Sequence, residues 1–563
     1  MLTGLIAATA ASLASSALAG PTFRTVAISG AQAPGQTLGV QFSYLSDPRI
    51  NDAGAVLLWA DLAGPGITSA NEGSIWSDRS GTLVMLMQEG QNTGQSPTSV
   101  WSAIPRPAFN SAGRMALTGT LSDPVDPNQA VNMGIYAEDA TPALVKIARE
   151  REPLPPPTGG NWTNLPVTTL SDGGAVAFHS NRGLGIWTAS PGQVPARVVQ
   201  TGDTPPGAPG LFLDFIDMPA QNGLLVFRGS LREFPASGAE PIGWGLWTAD
   251  GTNLVNIAKT DTLAPGTDAG FIALALQPTI NAQGQAAFWG RVWGLGVGAI
   301  NDEGIWSAQG TIVNIRIREG TPAAGCEPGV VYGAIAEHPA LNGNGVLAFT
   351  AHLTGAGVTA STNSGVWKLG GKSIQLLGRE GSQAPRLPQG VEFAGFSEPA
   401  VNSAGQVAFL ARLRGQGVMP SNSQAMFVTD RAGLVYPLLR TGDAFTVGGQ
   451  PRIIDEIVFD SEASGSGHSQ FADSAAGGTL IFKLVFRDPS LPPSHALSSG
   501  IFTGSLGCLA DVDGSGALNI NDFAAFQNAF AAGDLRACDF LGNGALDIND
   551  FIGFLNAYAA GCE

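Results

Sequence analysis

The sequence predicts an all-β fold, an eight-bladed β-propeller closed by its N-terminal strands and followed by a small α-helical module that binds calcium. Three observations carry this prediction: a β-strand phrase that recurs eight times, a repeat unit divided between the two ends of the array, and two phased calcium-loop patterns. With 563 residues, 76 glycines and 37 prolines, the chain favours many turns and a repeat array over one core. The predicted domains are a signal peptide over 1–19, the propeller over 20–507 and the calcium module over 508–563.

The recurring phrase reads Pro-x-x-Asn-x-x-Gly-x-x-Ala-Phe, with substitutions. Proline fixes φ, asparagine and glycine tolerate left-handed turns, and the Val-Ala-Phe type run that follows is β-prone. With a period of roughly 60 residues, the final position of the phrase falls at Leu58, Leu117, Phe178, Phe227, Phe288, Phe349, Phe409 and Phe482. A second strand, marked by Gly-Ile-Trp or a relative, places its aromatic residue at Trp76, Tyr136, Trp187, Trp247, Trp306, Trp367, Phe427 and Phe502. An aromatic residue at one phase in every copy indicates packing within the blades and not a sugar-binding platform.

Each unit continues with a third strand and a fourth short apolar run, such as 393–396, that leads into the next phrase. Four strands at a regular period are typical of a propeller blade. The eighth unit stops after its second strand, and its missing pieces appear near the start of the chain, at Val26–Gly30 and at Phe42. An N-terminal segment that completes the last blade closes the ring and leaves no exposed edge. The third strands end in Arg-Glu-Gly or Arg-Thr-Gly turns, which we expect to be braced by Arg318, Arg379 and Arg440.

The phrase resembles the repeat that defines a family of secreted bacterial proteins with tandem Asn-x-x-Gly-x-x-Ala-Phe repeats and varied C-terminal anchoring modules. The resemblance covers about residues 21–507. It implies an extracellular location and a repeat scaffold, and it brings no assigned activity.

Export is also indicated by the start of the chain. Residues 1–19 are nearly all small and apolar and end in Ala17-Leu18-Ala19, a small-residue pattern typical of signal-peptidase sites. A buried first strand is the alternative, although sequence rich in alanine and serine is poor strand material. No later stretch approaches the length of a membrane span. A net charge of −17 repels phosphate backbones and anionic lipids, so nucleic acids and membrane surfaces are not expected as partners.

Residues 511–522 have the spacing of a calcium loop, in which alternate residues converge on one hard cation. The predicted ligands of Ca²⁺ are oxygens of Asp511, Asp513, Ser515, Ala517 (through its backbone carbonyl), Asn519 and Asp522. The pattern returns 28 residues later, with predicted ligands from Asp539, Asn543, Ala545, Asp547 and Asp550. Leu541 stands at the third position of this second loop and cannot ligate. We therefore expect a tight first site and a weak or empty second site.

Each loop precedes a predicted amphipathic helix with aromatic residues at helical spacing. They are Phe523, Phe526 and Phe530 in the first helix and Phe551, Phe554 and Tyr558 in the second. Two loop–helix units without a leading helix, bracketed by Gly507-Cys508 and Gly561-Cys562, resemble the GC-type variant of a type I dockerin over 508–563. This resemblance implies calcium-dependent anchoring to a cohesin-like or other anchoring protein. The four cysteines allow three connectivities, of which the resemblance implies Cys508 with Cys562, with Cys326 and Cys538 free or joined.

No catalytic pattern stands out among the five histidines, and Gly467-His468-Ser469-Gln470-Phe471 lacks the final glycine of a nucleophile elbow. Two features offer binding positions on a uniform scaffold. The first is a Gly-x-Gly loop after the phrase strand, which begins at Gly64, Gly294, Gly355 and Gly415. The second is a varied residue before the repeated proline, expected to form a ring around the axis, at Asp47, Arg106, Gln277, His338 and Glu398. Tolerant solvent positions are the simpler interpretation of both.

The sequence favours an extracellular binding or structural scaffold over an enzyme, with polysaccharide among its candidate ligands. The alternative is a carbohydrate-active enzyme, a glycoside hydrolase or lyase, because dockerins commonly carry such cargo. A glycosidase needs a pair of carboxylates that converge on the substrate, and no pair of acids interrupts the repeat in the sequence.

Overall fold

The computed structural model describes residues 22–561 except 47, 95–97, 106, 124–131, 157, 166–167, 181–184, 216–219, 222–223, 233–241, 252, 276, 461–469, 473–477, 488–497, 514 and 516. The predicted signal peptide, over 1–19, lies outside the described residues. The described part of the chain is an eight-bladed β-propeller, eight antiparallel sheets in succession, followed by three α-helices. In this part, no helix combines the length and the apolar character needed to cross a membrane.

The strands of the first half follow one another blade by blade. Strand β1 (Thr22–Ile28) precedes the first blade. The first blade contains β2 (Gln41–Leu45), β3 (Arg49–Ile50), β4 (Val56–Ala63), β5 (Gly73–Ser77) and β6 (Val84–Gln88). The second contains β7 (Val100–Ala103), β8 (Ala108–Phe109), β9 (Met115–Ser122), β10 (Asn132–Glu138) and β11 (Leu144–Arg149). The third contains β12 (Thr168–Leu170), β13 (Val176–Ser180), β14 (Gly185–Ala189) and β15 (Ala196–Gln200). The fourth contains β16 (Leu211–Phe215), β17 (Ala220–Gln221), β18 (Leu225–Arg232), β19 (Gly243–Asp250) and β20 (Asn253–Lys259).

The second half continues in the same manner. The fifth blade contains β21 (Gly270–Leu274), β22 (Thr279–Ile280), β23 (Gln285–Trp293), β24 (Glu303–Gln309) and β25 (Ile312–Arg318). The sixth contains β26 (Val330–Ile335), β27 (Ala340–Leu341), β28 (Leu347–Gly355), β29 (Ser364–Gly370) and β30 (Ser373–Arg379). The seventh contains β31 (Val391–Phe396), β32 (Ala400–Val401), β33 (Val407–Gly415), β34 (Gln424–Thr429) and β35 (Val435–Arg440). The eighth contains β36 (Ala444–Val447), β37 (Gln450–Val458), β38 (Phe471–Ala472), β39 (Thr479–Arg487) and β40 (Ser498–Ser505). The helices are α1 (Ile520–Ala532), α2 (Leu535–Cys538) and α3 (Ile548–Ala560).

The boundaries of the structural blades are shifted by one strand relative to those of the sequence repeat. The predicted fourth run of a unit is a strand, but it pairs in the following blade, as β31 does with β33. The chain crosses over at the turn glycine: Gly381, at φ +83°, donates its N–H to the Phe393 carbonyl of the next blade at 2.9 Å. Phe42 follows the same rule. Its strand β2 pairs with β4 in the first blade, so the assignment of Phe42 to the last blade is wrong.

The eighth sheet contains strands from both ends of the propeller. Strand β1 pairs antiparallel with β40, from Thr22 opposite Ser505 to Ile28 opposite Gly500. The register of this pair shifts between Thr25 and Ala27, so that one residue of β1 is left over. The third strand of the fifth blade has the same shift, beside Trp306. Strand β1 therefore takes the place that the third strand has in the other blades.

The final residue of the phrase, phenylalanine or leucine, and the aromatic residue of the Gly-Ile-Trp strand meet inside each blade. They are direct cross-strand partners in all eight sheets, as in Phe349 opposite Trp367. The rings of this pair stack at 5.7 Å with an interplanar angle of 13°. All eight second-strand aromatics are at most 2% exposed. The prediction that they pack the blades is confirmed, and burial of such large rings dominates core energetics.

The asparagine of the phrase joins neighbouring blades. The Oδ1 of Asn342 accepts the N–H of Val346 at 2.8 Å, and its Nδ2 donates to the Asn402 and Ser403 carbonyls of the next blade at 2.8 and 3.2 Å. The same two-sided arrangement is present at Asn51, Asn110 and Asn281. We call these four residues the asparagine belt. All four side chains are buried, so each amide fixes the contact between two blades in a directional manner.

The glycine of the phrase, and not the asparagine, adopts the left-handed backbone conformation. The glycines have φ between +74° and +79° at Gly54, Gly113, Gly284, Gly345 and Gly405. None of the asparagines in the belt has a positive φ. The interpretation of asparagine as a left-handed turn residue is therefore wrong, because its side-chain amide is needed between the blades.

We expect Asn342→Asp to lower the free energy of unfolding of the propeller by about 2 kcal/mol or more, because a buried polar group without a partner costs this much. The variant keeps the acceptor for Val346, but it turns a carboxylate oxygen towards two carbonyls of the next blade. Asn344→Asp is the control, since Asn344 is exposed and its side chain makes a single bond, to Ser403. Urea unfolding followed by tryptophan fluorescence measures the difference. Equal transitions for the two variants would contradict the role of the belt.

Candidate functional site

The first calcium loop brings three carboxylates together. One oxygen each of Asp511, Asp513 and Asp522 lies within 4.8 Å of the other two, and no other such group of three or more His, Cys, Asp or Glu residues occurs among the residues that the structure describes. Asp522 is fully buried and accepts the N–H groups of Asp513 at 3.2 Å and of Asn519 at 2.7 Å. Converging carboxylate oxygens are the ligands that Ca²⁺ prefers. The three acids therefore fit a hard divalent cation.

The neutral ligands predicted for this loop form one hydrogen-bonded set. The Oγ of Ser515 donates to the Ala517 carbonyl at 3.0 Å, and the Nδ2 of Asn519 donates to the same carbonyl at 2.8 Å. The Oδ1 of Asn519 accepts the N–H of Asn521 and caps α1. Hydrogen bonds from Ser515, that of its backbone N–H first, lower the pKa of Asp513 and favour its charged form.

The second loop repeats the backbone frame of the first. Asp550 accepts the N–H groups of Leu541 at 3.0 Å and of Asp547 at 2.9 Å, as Asp522 does in its own loop. Asp547 caps α3 as Asn519 caps α1. The side chain of Leu541, at the position of a ligand, is half-exposed. The frame is therefore independent of the residue at the third position.

Asp539, the first position of the second loop, is fully buried against the propeller. Its carboxylate accepts N–H groups from Asn543 at 3.0 Å and Gly544 at 2.8 Å, and a third from Arg386 of the seventh blade at 3.2 Å. Burial raises the pKa of Asp539. Asn543 in turn accepts the N–H of Ala545 at 2.9 Å. The two loops thus differ in their carboxylate arrangement, and calcium binding by either stays a prediction.

The helices that follow the loops pack through their aromatic residues. Phe526 of α1 and Phe554 of α3 are buried and stack at 4.5 Å between ring centroids. Phe523 contacts Phe554 and Tyr558 at 5.1 and 4.8 Å. The predicted amphipathic helices are confirmed, and α2 is an additional short helix between them.

Two of the cysteines are free thiols. Cys538 is buried in the core of the C-terminal module, and burial raises its pKa to about 12. Cys326 lies in the propeller, and burial raises its pKa as well. The pairing of Cys508 with Cys562 stays a prediction, because Cys562 lies outside the described residues.

The turns after the third strands are structural. Arg318 donates to the Asn301 carbonyl at 3.2 Å and Arg440 donates to the Asn422 carbonyl at 2.8 Å, so the predicted bracing is confirmed. Arg379 donates in the same way to the Thr362 carbonyl, at 3.4 Å.

The acids of these turns also have structural partners. Burial, followed by a hydrogen bond with the side chain of Asp302, raises the pKa of Glu319 to about 7. The side chain of Glu319 accepts the N–H of Asp302 at 3.1 Å. At the equivalent position of the fourth blade, the hydroxyl of Thr260 accepts the N–H of Trp244 at 3.0 Å. Because the hydroxyl of Thr260 takes the same place in another copy, we interpret the Glu319 carboxylate as a cap on the strand. It gives no support to a catalytic role.

Two of the varied positions before the repeated proline, His338 and Glu398, can be compared in the structure, and they are adjacent in space. Nδ1 of His338 lies 3.1 Å from Oε1 of Glu398, across two neighbouring blades. Gln277 is exposed, whereas Asp47 and Arg106 lie outside the described residues. Residues 467–469 of the weak nucleophile-elbow pattern also lie outside them. Among the described residues, His338 and Glu398 are therefore the ring positions shown to be adjacent.

The Gly-x-Gly loops are closed by their own side chains. In the seventh blade, Nδ2 of Asn422 donates to the Gly417 carbonyl at 3.1 Å, and its Oδ1 accepts the N–H of Met419 at 2.6 Å. Asn301 makes both bonds in the fifth blade. The loops thus have a common framework, and Met419 at the tip of the seventh-blade loop is exposed.

The sequence interpretation missed an apolar cleft on the fifth blade. Leu263, Ile272 and Trp293 are exposed, and together with Asp261 and Asp268 they line a shallow cavity of about 300 Å³. The indole of Trp293 is 68% exposed, unlike the buried tryptophans of the repeat. At the position of Trp293, five residues after the final residue of the phrase, other blades have Ala63, Thr354 and Arg414. This break in the repeat is the signal that sequence reading could have used.

The fold defines an eight-bladed β-propeller protein with a small helical module at its C-terminal end. The chain belongs to a family described as "Family of unknown function (DUF7453)", whose model matches residues 7–338 and 221–502. No curated protein matches the chain.

Several solved structures are similar to the chain at low identity. The β-propeller domain of the Trilobed protease from Pyrococcus furiosus is 11% identical, with a TM-score of 0.35, over 72% of this chain and 100% of that one. The Dos1 propeller is 12% identical, with a TM-score of 0.34, over 83% and 96%. The acylaminoacyl peptidase of Pyrococcus horikoshii is 11% identical, with a TM-score of 0.32, over 81% of this chain and 59% of its own length.

Proposed function

We propose that the protein is a secreted binding scaffold, with a propeller that presents a ligand surface and a C-terminal module that anchors it in a calcium-dependent manner. The convergence of Asp511, Asp513 and Asp522 within 4.8 Å carries this proposal. Three carboxylates held so close repel one another, and a divalent cation neutralises them. Asp522 lies in the first turn of α1, so the cation would order the start of that helix. The dockerin resemblance supports a cohesin-like or other anchoring protein as the partner.

We expect the full chain to bind one Ca²⁺ tightly, and Asp513→Asn to abolish that binding, because the variant removes one of three converging charges. Asp547→Asn is the matched control. It removes an acid from the second loop, and asparagine is as good a helix cap as aspartate. Isothermal titration calorimetry on the full chain gives the stoichiometry. Two tight sites in the parent, or none, would overturn the assignment.

We also propose that β1 closes the propeller ring. The support is its antiparallel pairing with β40, extended by a hydrogen bond of 2.8 Å from the Ser29 N–H to the Ser499 carbonyl. Without β1, the outer edge of β40 would expose unpaired backbone groups.

Deletion of residues 22–28 should therefore loosen the whole ring. We expect amide exchange to become about tenfold faster or more even in the fourth and fifth blades, far from the seam, because the ring unfolds as one unit. Hydrogen exchange followed by mass spectrometry measures this. Faster exchange confined to the first and eighth blades would indicate an open array, in which stability is local.

The cleft of the fifth blade supports a carbohydrate ligand. An exposed indole offers an apolar face to a sugar ring, and Asp261 and Asp268 beside it can accept hydrogen bonds from sugar hydroxyls. A pocket with an aromatic wall and a few polar groups is typical of small-ligand sites. We infer that a neutral polysaccharide binds here.

Trp293→Ala should weaken binding to the best ligand of a glycan array about tenfold or more, which is about 1.4 kcal/mol or more. The control is Leu295→Ala, because Leu295 is fully exposed nearby but does not line the cleft. If both variants bind glycans as the parent does, or if the parent binds none, the ligand assignment is wrong.

A further inference from the structure

Arg386 interrupts the repeat at a position of unusual backbone geometry. The equivalent residues of four other blades are left-handed glycines, at φ +72°, +73°, +81° and +76°, namely Gly35, Gly207, Gly266 and Gly325. Arg386 has φ +58° at the same position. Glycine adopts this conformation freely, whereas a residue with a Cβ does so under strain. A strained residue persists where surrounding contacts compensate for it.

The compensating contacts come from the C-terminal module. Arg386 is 3% exposed, and its Nη1 donates to the Arg536 carbonyl at 2.7 Å. Its guanidinium lies over the ring of Phe540, 4.6 Å from the centroid. Its backbone N–H donates to the carboxylate of Asp539 at 3.2 Å. The guanidinium thus lies against Arg536 and Phe540, which flank Asp539 in the sequence, and its positive charge interacts with the Asp539 carboxylate.

The loop that carries Arg386 lacks an anchor that three of its counterparts have. In the fourth, fifth and sixth blades, an indole N–H donates to the carbonyl just before the left-handed glycine, at 3.2, 2.9 and 2.9 Å, from Trp247, Trp306 and Trp367 respectively. The seventh blade has Phe427 at this position, and a phenyl ring has no N–H. In the loop over residues 383–389, Arg386 makes hydrogen bonds with the module instead.

The second loop is shaped to receive this segment of the propeller. A Cβ on Gly542 would lie 2.9 Å from the Cβ of Pro385, and one on Gly544 would lie 2.8 Å from the Leu387 carbonyl. Both glycines are left-handed, at φ +67° and +77°. The two backbones therefore pack directly against each other. An exposed ion pair of 2.5 Å between Arg536 and Asp443 lies at the rim of this contact.

We propose that the second loop is the docking site of the propeller and not a calcium site, and that Arg386 is the cation it receives. Asp539 is enclosed by the segment 383–389, a positive charge lies beside it, and Leu541 supplies no ligand. A second Ca²⁺ does not fit this environment. The module is consequently fixed to the seventh blade through its second loop, and its first loop remains open for Ca²⁺. The docking contact does not depend on the proposed function. Only the expected number of bound calcium ions rests on that function.

Arg386→Gly tests the docking contact, because it restores the residue of the other blades and relieves the strain in the propeller. We expect amide exchange over residues 535–545 to become at least tenfold faster in the full chain, while exchange in the fourth and fifth blades stays unchanged. Asp443→Asn is the matched control. It removes only the exposed ion pair at the rim, so we expect less than a threefold change. Unchanged exchange over 535–545 in Arg386→Gly would overturn the proposal.

Calcium stoichiometry tests whether Arg386 excludes the ion. Calorimetry on the full chain should give one site for the parent, one for Leu541→Asp, and two for the double variant Leu541→Asp with Arg386→Gly. Two sites in Leu541→Asp alone, or one site in the double variant, would overturn the exclusion. The outcomes are separable from those of the proposed function. Retention of calcium binding in Asp513→Asn rejects the first site without affecting the docking contact, and unchanged exchange in Arg386→Gly rejects the docking contact without affecting the first site.

Discussion

The ring depends on a buried side-chain amide between neighbouring blades. Apolar packing alone is non-directional and would allow adjacent sheets to slide. Each amide of the asparagine belt removes this freedom, because it satisfies an N–H of its own turn and donates to carbonyls of the next, as Asn281 does towards Asn342 at 2.9 Å. In the third blade, Ser171 stands in place of the asparagine, and its Oγ accepts the N–H of Ala175 at 3.0 Å. The turn glycine three residues on takes the left-handed conformation, so the asparagine does not have to.

The same repeated framework explains how the module is attached. A propeller built of equivalent loops offers many similar sites, and the seventh blade differs from the fourth, fifth and sixth in two ways that act together. Phe427 removes an indole anchor from the loop over 383–389, and Arg386 turns that loop towards Asp539. On the module side, the frame of the second loop is held by Asp550 and does not depend on a ligand at its third position. A loop whose backbone is held by its own aspartate can serve as a docking surface.

Much of the fold was predictable because its determinants are local. The phase of the aromatic residues predicts the strands and their cross-strand partners, such as Phe288 opposite Trp306, since turn chemistry sets register over a few residues. Blade boundaries were not predictable in the same manner. Strand β31 follows Gly381 in the chain, but its hydrogen-bond partner β33 belongs to the next blade. Which of two flanking sheets a strand joins is a non-local choice, made by the crossing of the chain at the turn.

The sequence by itself determined the repeat, its packing aromatics and the convergence of three acids in the loop over residues 511–522, because each rests on residues within one turn or one hairpin. Asp511, Asp513 and Asp522 converge as their spacing requires. Only the tertiary structure decided which part of the protein the second loop contacts. Arg386 and Asp539 are 153 residues apart, and their contact arises from the way in which the module packs on the seventh blade. Leu541 revealed in the sequence that a ligand is missing. That an arginine of the propeller lies beside the loop follows only from the folded chain, because a contact between distant segments depends on the position of every element between them.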